Sequence, residues 1–431
     1  MIAMPTDLSR DETPPVMYRG AAHRSRKRFW HGTHRICSPS ETLTRIAPHF
    51  PRLGLTRLAN VTGLDRIGIH TVLSVRPNSR YLSVDAGKGF TLDAAMVSAG
   101  MECIERYHGE NAPVPSFRAS YARVAEEHVT IPHHRLPLLK HGVFGPNLPV
   151  SWSLGWDLLH QCEVAVPTAL VLMSGQPVRR PDLIPFQRGS NGLAAGNDLL
   201  EAIDGGLLEL IERDGVACHR VAAERHRADL PRVDERTIEH PFVLDLLARL
   251  ATVGMSVILY DCSVDTGVPI YMAYLCDASA RHGGIFRGYG AHLDPAIAMV
   301  RAITEAVQGR LVFIAGSRDD VLRQHHTHFR QVDDAATVRV LREAPATVDA
   351  RERRDLSTGS FEGDVNVLLD RLRAAGVSQV IVFDLSMPEF GVAAVRVLVP
   401  ELEGYMFESY SPGARAKAFV RRRGIELGAH T

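Results

Sequence analysis

Glu102-Cys103-Ile104-Glu105-Arg106 and Glu209-Leu210-Ile211-Glu212-Arg213 are two copies of one phrase, Glu-x-Ile-Glu-Arg. Each lies in a stretch with helical spacing, so its two carboxylates, three residues apart, project from one face. At about 100° per residue, Ser98, Glu102 and Glu105 share one wedge of a helix, and Glu201, Gly205, Glu209 and Glu212 share another. The residues around them are apolar or small (Ala99, Gly100, Met101 and Ile104; Gly206, Leu207, Leu208 and Ile211), which predicts packed faces. Like charges at this spacing cost a few tenths of a kcal/mol each when exposed, and far more if turned inward without a partner. A cation is therefore expected among the five glutamates. A single Glu-x-x-Glu usually belongs to a solvated face, but two copies followed by the same Arg weaken that reading. With carboxylate oxygens as the candidate ligands and no His or Cys on either stripe, the expected cation is a hard one such as Mg²⁺. Mg²⁺ held by carboxylates usually accompanies bound phosphates.

The chain around these stripes is that of a globular protein. Its 431 residues are 45% hydrophobic, enough for a large core and for one to three domains. Lys+Arg and Asp+Glu both number 49, so no global field attracts nucleic acid or an anionic membrane. No apolar run approaches the length of a membrane span, and Met1 to Pro15 lacks the apolar core of a signal peptide, so a cytoplasmic protein is expected. Cys37, Cys103, Cys162, Cys218, Cys262 and Cys276 are scattered without a Cys-x-x-Cys pair, which predicts reduced thiols and no zinc site. His325, His326 and His328 lie in a polar stretch and read as a solvated loop.

Residues 1–28 lack periodicity and read as a flexible tail, 29–410 as the folded domain and 411–431 as a C-terminal tail. Helical spacing covers 40–49, and 66–75 alternates as a strand. Tyr81 to Val84 reads as a short strand ending at Asp85-Ala86-Gly87-Lys88-Gly89, which leads into a helix over 91–108. Val164 to Met173 reads as a strand. Ser190-Asn191-Gly192-Leu193-Ala194-Ala195-Gly196-Asn197 reads as a turn entering a second long helix, 198–223. Strands are predicted at 255–261 and 268–276, a third long helix at about 294–314, and further strands at 379–383 and 392–399. Arg421-Arg422-Arg423 reads as a solvated helix end. The hairpin-like pairs favour a mixed α+β architecture over a doubly wound sheet.

Three features offer a phosphate site. Lys88 lies between two glycines that impose no side-chain bulk, the Ser190 to Asn197 loop opens a helix, and Gln308 with Arg310 adds a neutral and a cationic donor. None is a Walker A or Gly-x-Gly-x-x-Gly sequence. In this order, however, Gly87-Lys88-Gly89, Ser98-x-x-x-Glu102-x-x-Glu105-Arg106, Ser190 to Ala202, Gly206-Leu207-x-Glu209-x-x-Glu212-Arg213 and Glu305-Ala306-x-Gln308-x-Arg310 resemble the YcaO family. The resemblance runs from about Arg19 to Glu403 and extends to proteins similar to the ribosomal protein S12 methylthiotransferase accessory factor. It implies an α+β ATP-binding fold with mixed sheets, long helices carrying paired glutamates and two similar halves around one nucleotide site. It implies ATP and Mg²⁺ as cofactors. Mg²⁺ ligation falls to Glu102, Glu105, Glu209 and Glu212, and nucleotide binding to Arg35, Thr42, Lys88, Ser98, Asn197, Glu201, Gln308 and Arg310.

The family activates a backbone amide of a peptide or protein by phosphorylating its oxygen after a nucleophile has added. An adjacent Cys, Ser or Thr side chain then gives an azoline, and external sulfide gives a thioamide. Azoline formers usually end in a Pro-rich tail and often carry a peptide-binding domain. This chain ends Glu426-Leu427-Gly428-Ala429-His430-Thr431, and the segment before its first motif is short, which favours the thioamide branch. The run Ile314-Ala315-Gly316-Ser317-Arg318-Asp319-Asp320 resembles members that work beside a TfuA protein, although Arg318-Asp319-Asp320 also reads as a surface charge cluster. A TfuA-like partner and a peptide substrate are the expected partners, with a homodimer left open. The rival readings are azoline-forming cyclodehydration and a non-catalytic ATP-binding accessory protein.

Overall fold

The computed structural model describes residues 13–139, 142–173, 185–225, 229–277, 284–320, 334–404 and 411–424. The histidine cluster at His325, His326 and His328 and the terminal run from Glu426 lie outside them. The chain divides into two compact units: Met1–Ser38 with Ile104–Asp214 and Ser357–Arg415, and Pro39–Cys103 with Gly215–Leu356 and Ala416–Thr431. The division falls inside both glutamate helices, just after Cys103 and just after Asp214.

The first unit is built on a six-stranded antiparallel sheet in the order Phe117–Ser120, Pro149–Asp157, Ile381–Asp384, Ala393–Leu398 and Leu193–Gly196, with Cys162–Pro167 also paired to Pro149–Asp157. Trp152, Val164, Val166, Met173, Phe186, Leu193, Ile381 and Phe383 form its core. The segment expected as a strand over Val164 to Met173 stops at Pro167 and turns into a helical turn, Thr168–Val171. The expected tail carries an antiparallel hairpin, Val16–Tyr18 with Ala21–His23, that turns through Arg19 (φ 49°) and Gly20 (φ 81°). Three-residue strands are too short to show a period, which is why the sequence gives no sign of them.

The second unit holds a three-stranded antiparallel sheet, Arg57–Asn60, His70–Val75 and Val84–Gly89. It also holds a five-stranded one in the order Ile285–Ala291, Ile270–Asp277, Met255–Asp261, Arg232–Asp234 and Ala346–Asp349. Only the last pair of that sheet is parallel. The expected third helix is Pro295–Ala315, capped by the Asp294 side chain on the Ala296 amide, opened by Pro295 and ended by Gly316 at φ 60°. Its Ile303, Val307 and Leu311 enter a core with Leu259, Leu275 and Phe286.

One packing device recurs within the units. A strand carries glycines on the face that meets the helix following it. A Cβ on Gly288 would lie 2.2 Å from the Ala302 carbonyl oxygen, and one on Gly196 2.5 Å from the Ala202 nitrogen. A Cβ on Gly87 would lie 2.0 Å from the Ala99 nitrogen. The strand expected over Tyr81 to Val84 lies instead over Val84–Gly89, so Gly87-Lys88-Gly89 is its end. Its glycines admit helix backbone, whereas the sequence suggested that they admit a phosphate.

Candidate functional site

The first glutamate helix is Leu92–Asn111, started by Thr91, whose side chain accepts the Ala94 amide. The second is Leu199–Arg220, started by Asp198, whose carboxylate accepts the Glu201 amide at 2.9 Å. Asp198-x-x-Glu201 therefore serves as the helix start and places Glu201 in the first turn, where a carboxylate suits the positive end of the helix dipole.

In the first unit, Glu201 gathers two of the other expected residues, Arg35 and Asn197. It is buried, at 5% exposure. Its carboxylate accepts the Asn197 side-chain amide at 3.0 and 3.2 Å and the Ile36 backbone N–H at 3.0 Å, and it faces the Arg35 Nε at 3.6 Å. Arg35 and Asn197 thus meet through one carboxylate. Farther along the same helix, Glu209 accepts the backbone N–H of Gly192, whose φ is 75°, at 3.1 Å. Arg213 lies 3.6 Å from Glu209 and 3.9 Å from the buried Glu212. These separations exceed the ordinary length of a charge-assisted hydrogen bond, so Arg213 acts on both carboxylates chiefly through its charge. Next in sequence, Asp214 is fully buried. Burial pushes its carboxyl up to about 6, against the opposing pull of Arg415, whose Nε lies 2.7 Å away. Glu105 is half-buried on the first glutamate helix.

In the second unit, Lys88 and Gln308 come together. Lys88 Nζ donates to Gln308 at 3.0 Å and to Glu305 at 3.3 Å, and the Gln308 side-chain amide donates to the Ala86 carbonyl at 2.6 Å. Glu305, three residues before Gln308 on one helix face, was not among the expected site residues, although its spacing within the quoted motif could have suggested it. The Ile36 amide was also missed, because a backbone donor leaves no trace in residue type. Ser98 and Glu102 are half-buried on the first glutamate helix, and Thr42 is buried in the helix Pro39–Ile46. Arg310 is held by acidic side chains. Its guanidinium lies 3.3 Å from both Asp65 and Asp277, two carboxylates of 3% exposure. Two buried anions thus hold Arg310 and steady its helix. The run ending Arg318-Asp319-Asp320 is also engaged. Arg318 pairs with Asp320, and Asp319 accepts the Ser83 amide and hydroxyl at 2.6 and 2.7 Å.

Among the described residues, no three His, Cys, Asp or Glu side chains gather as a ready-made metal cage. The donors nevertheless suit Mg²⁺, which keeps several waters and commonly takes only one or two carboxylates beside substrate phosphates. Glu209 and Glu212 offer hard oxygen ligands one helical turn apart.

A fold of mixed sheets with two glutamate-bearing helices defines a class that comparison identifies. The chain belongs to the YcaO family: residues 86–403 match the family described as YcaO cyclodehydratase, ATP- and Mg²⁺-binding. ATP and Mg²⁺ are accordingly its cofactors. A protein of Rhizobium leguminosarum bv. trifolii, described as an uncharacterized protein in the tfuA 3′ region, is 33% identical over 376 residues, covering 86% of this chain and 88% of its own length. The structure of YcaO from Methanopyrus kandleri bound with AMPPCP and Mg²⁺ superposes with TM-score 0.69 at 26% identity, over 89% of this chain and 99% of that one. A heterocyclase in complex with substrate and cofactor shares the fold, with TM-score 0.79 at 23% identity over 96% of this chain; the match spans 57% of that longer chain. No helix of the described residues is long and apolar enough to cross a membrane.

Proposed function

We propose that this chain is an ATP- and Mg²⁺-dependent enzyme that phosphorylates the oxygen of a peptide backbone amide on the way to a thioamide, working in the cytoplasm beside a TfuA-like partner. The thioamide branch is carried by one observation, the 33% identity to a protein from a tfuA region. Hydrosulfide adds to the amide carbonyl carbon, and the carbonyl π pair moves to oxygen. That oxygen attacks the γ-phosphorus of ATP and displaces ADP. Loss of a proton from sulfur and of phosphate from carbon leaves C=S. Amide, hydrosulfide and ATP thus become thioamide, ADP and phosphate.

In this reading Glu102, Glu105, Glu209 and Glu212 hold Mg²⁺, which neutralises phosphate charge when bound. Arg35, Thr42, Lys88, Ser98, Asn197, Glu201, Gln308 and Arg310 contact the nucleotide. Glu201 orients Arg35 and Asn197, and Gln308 and Glu305 orient Lys88, so these donors meet the phosphates already aimed. Arg310 steadies the Gln308 helix from its pair of aspartates. A homodimer is compatible with the proposal.

Intact-mass analysis tests the branch. With ATP, Mg²⁺, sulfide and the cognate peptide, plus the partner protein, the product should exchange one oxygen for sulfur. Loss of one water without sulfur uptake would install azoline formation instead. An intact peptide with no ATP turnover would favour the non-catalytic accessory reading.

A further inference from the structure

We propose that the buried Lys27–Asp364 ion pair is a positioning device, setting where the Arg35 guanidinium and the Ile36 amide meet Glu201. The proposal rests on the reading of Arg35 and Glu201 as nucleotide-site residues and names what holds them.

The Lys27 side chain is wholly buried, and that of Asp364 nearly so, at 1% exposure. The ammonium has three protons and three acceptors: the Asp364 carboxylate, the Thr358 carbonyl at 3.0 Å and His34 Nδ1 at 3.1 Å. Its flanks are the rings of Trp30 and Phe361, at 5.4 and 5.5 Å. Asp364 is fixed in turn by the Thr358 amide and hydroxyl, at 2.7 and 2.9 Å. It sits in the first turn of the helix Phe361–Ala374, capped by Ser360.

From this anchor the chain makes a closed loop. The Arg28 and Phe29 amides donate to the Arg35 carbonyl at 2.9 and 3.0 Å, and the Arg35 amide donates back to Phe29 at 3.0 Å. Gly32 turns the loop at φ 70°, and the Trp30 and His34 rings pack with centroids 4.3 Å apart. His34, the residue before Arg35, is therefore gripped by the Lys27 ammonium itself. Burial, with Lys27 and Arg35 alongside, holds the His34 ring neutral, with its pKa down at about 3, and a neutral ring can accept that proton at Nδ1. Immediately beyond, the Ile36 N–H and Arg35 reach Glu201.

Stability alone accounts poorly for such a pair, because well-packed apolar residues often serve a core as well as a buried ion pair does. A fixed ammonium with every proton directed defines one loop geometry, and that geometry ends on the nucleotide-site carboxylate.

The test is a double-mutant cycle on the full chain, reading the Kd for AMPPCP with Mg²⁺ by calorimetry. Lys27→Met with Asp364→Asn removes both charges and leaves no uncompensated ion. This neutral pair should weaken binding on the order of 10-fold, and Arg35→Ala by a similar factor. All three changes together should weaken binding by less than the product of the two separate factors, because the pair acts in part through Arg35 and Arg35→Ala has already removed that part. Multiplying penalties, or wild-type affinity in the neutral pair when Arg35→Ala binds weakly, would overturn the positioning role. Wild-type affinity in Arg35→Ala would instead sink the nucleotide-site reading, and the proposal with it. Should the neutral pair not fold, His34→Gln, which changes the Lys27 contact and the ring packed on Trp30 while leaving the ion pair in place, is read in the same cycle with the same expectation.

Discussion

Replacing Gly87 by Ala separates two uses of the Gly-Lys-Gly phrase. The added methyl would stand 2.0 Å from the Ala99 nitrogen, 2.5 Å from the Ala95 carbonyl oxygen and 2.6 Å from the Ser98 carbonyl carbon. All three are backbone atoms of the first glutamate helix, so no side chain can swing aside. Ordinary contact needs about 3.5 Å, and strand and helix must therefore separate by more than about 1 Å. Overpacking of this kind costs about 3 kcal/mol, at the upper end of the usual range. For a unit of roughly 200 residues, that should lower the melting temperature by about 6 to 12 °C. Gly63→Ala is the control, because a Cβ there meets nothing within 4 Å and the backbone is not in the left-handed region. Melting by circular dichroism, with and without AMPPCP and Mg²⁺, reads both variants. A Gly87→Ala protein that melts with the wild type but no longer binds nucleotide would refute the packing argument and return the glycine to the phosphate.

Three further outcomes are expected. Glu212→Gln keeps the shape but removes a ligand charge, and ATP turnover should fall on the order of 10²-fold, with unchanged turnover ruling out the metal role. Arg396→Met strips the donors from three carbonyls, Val171, Asn191 and Gly189, at 3.1, 2.9 and 2.7 Å, and should cost about 3 kcal/mol, read as a lower urea midpoint. Burial, reinforced by Arg423, holds the folded-state pKa of His219 down at about 4, below its ordinary 6.5. The unfolded chain therefore binds the extra proton between these values, so the stability contributed by neutral His219 is complete above about pH 6.5 and drains away as pH falls toward 4. His219→Phe should flatten part of that slope in urea titrations across this window; an identical slope would remove His219 as its source.

What could be read from the sequence was what short-range chemistry dictates. The two glutamate helices follow from spacing and from starts at Thr91 and Asp198. The antiparallel pair Met255–Asp261 and Ile270–Asp277 follows from alternation about a turn. The helix Pro295–Ala315 is bracketed by Asp294-Pro295 and Gly316, the residue types that cap its ends. Partner choice is another matter. Periodicity says which face is buried but not what lies against it, so it could not give the Ile36 amide to Glu201 across 165 residues, nor Lys27 to Asp364 across 337.

Arg310 shows the same limit. Its place beside Gln308 suggests a phosphate donor, and only the fold shows Asp65 and Asp277 against its guanidinium. Gly87-Lys88-Gly89 was misread for a subtler reason. Glycine serves equally where a phosphate approaches and where a helix backbone does, so residue type alone leaves the choice open. Alternation could have decided it. With a period of two, both glycines fall on one face and Lys88 on the other, which is how the strand Val84–Gly89 presents bare backbone to one helix and an ammonium to Glu305 and Gln308 of another.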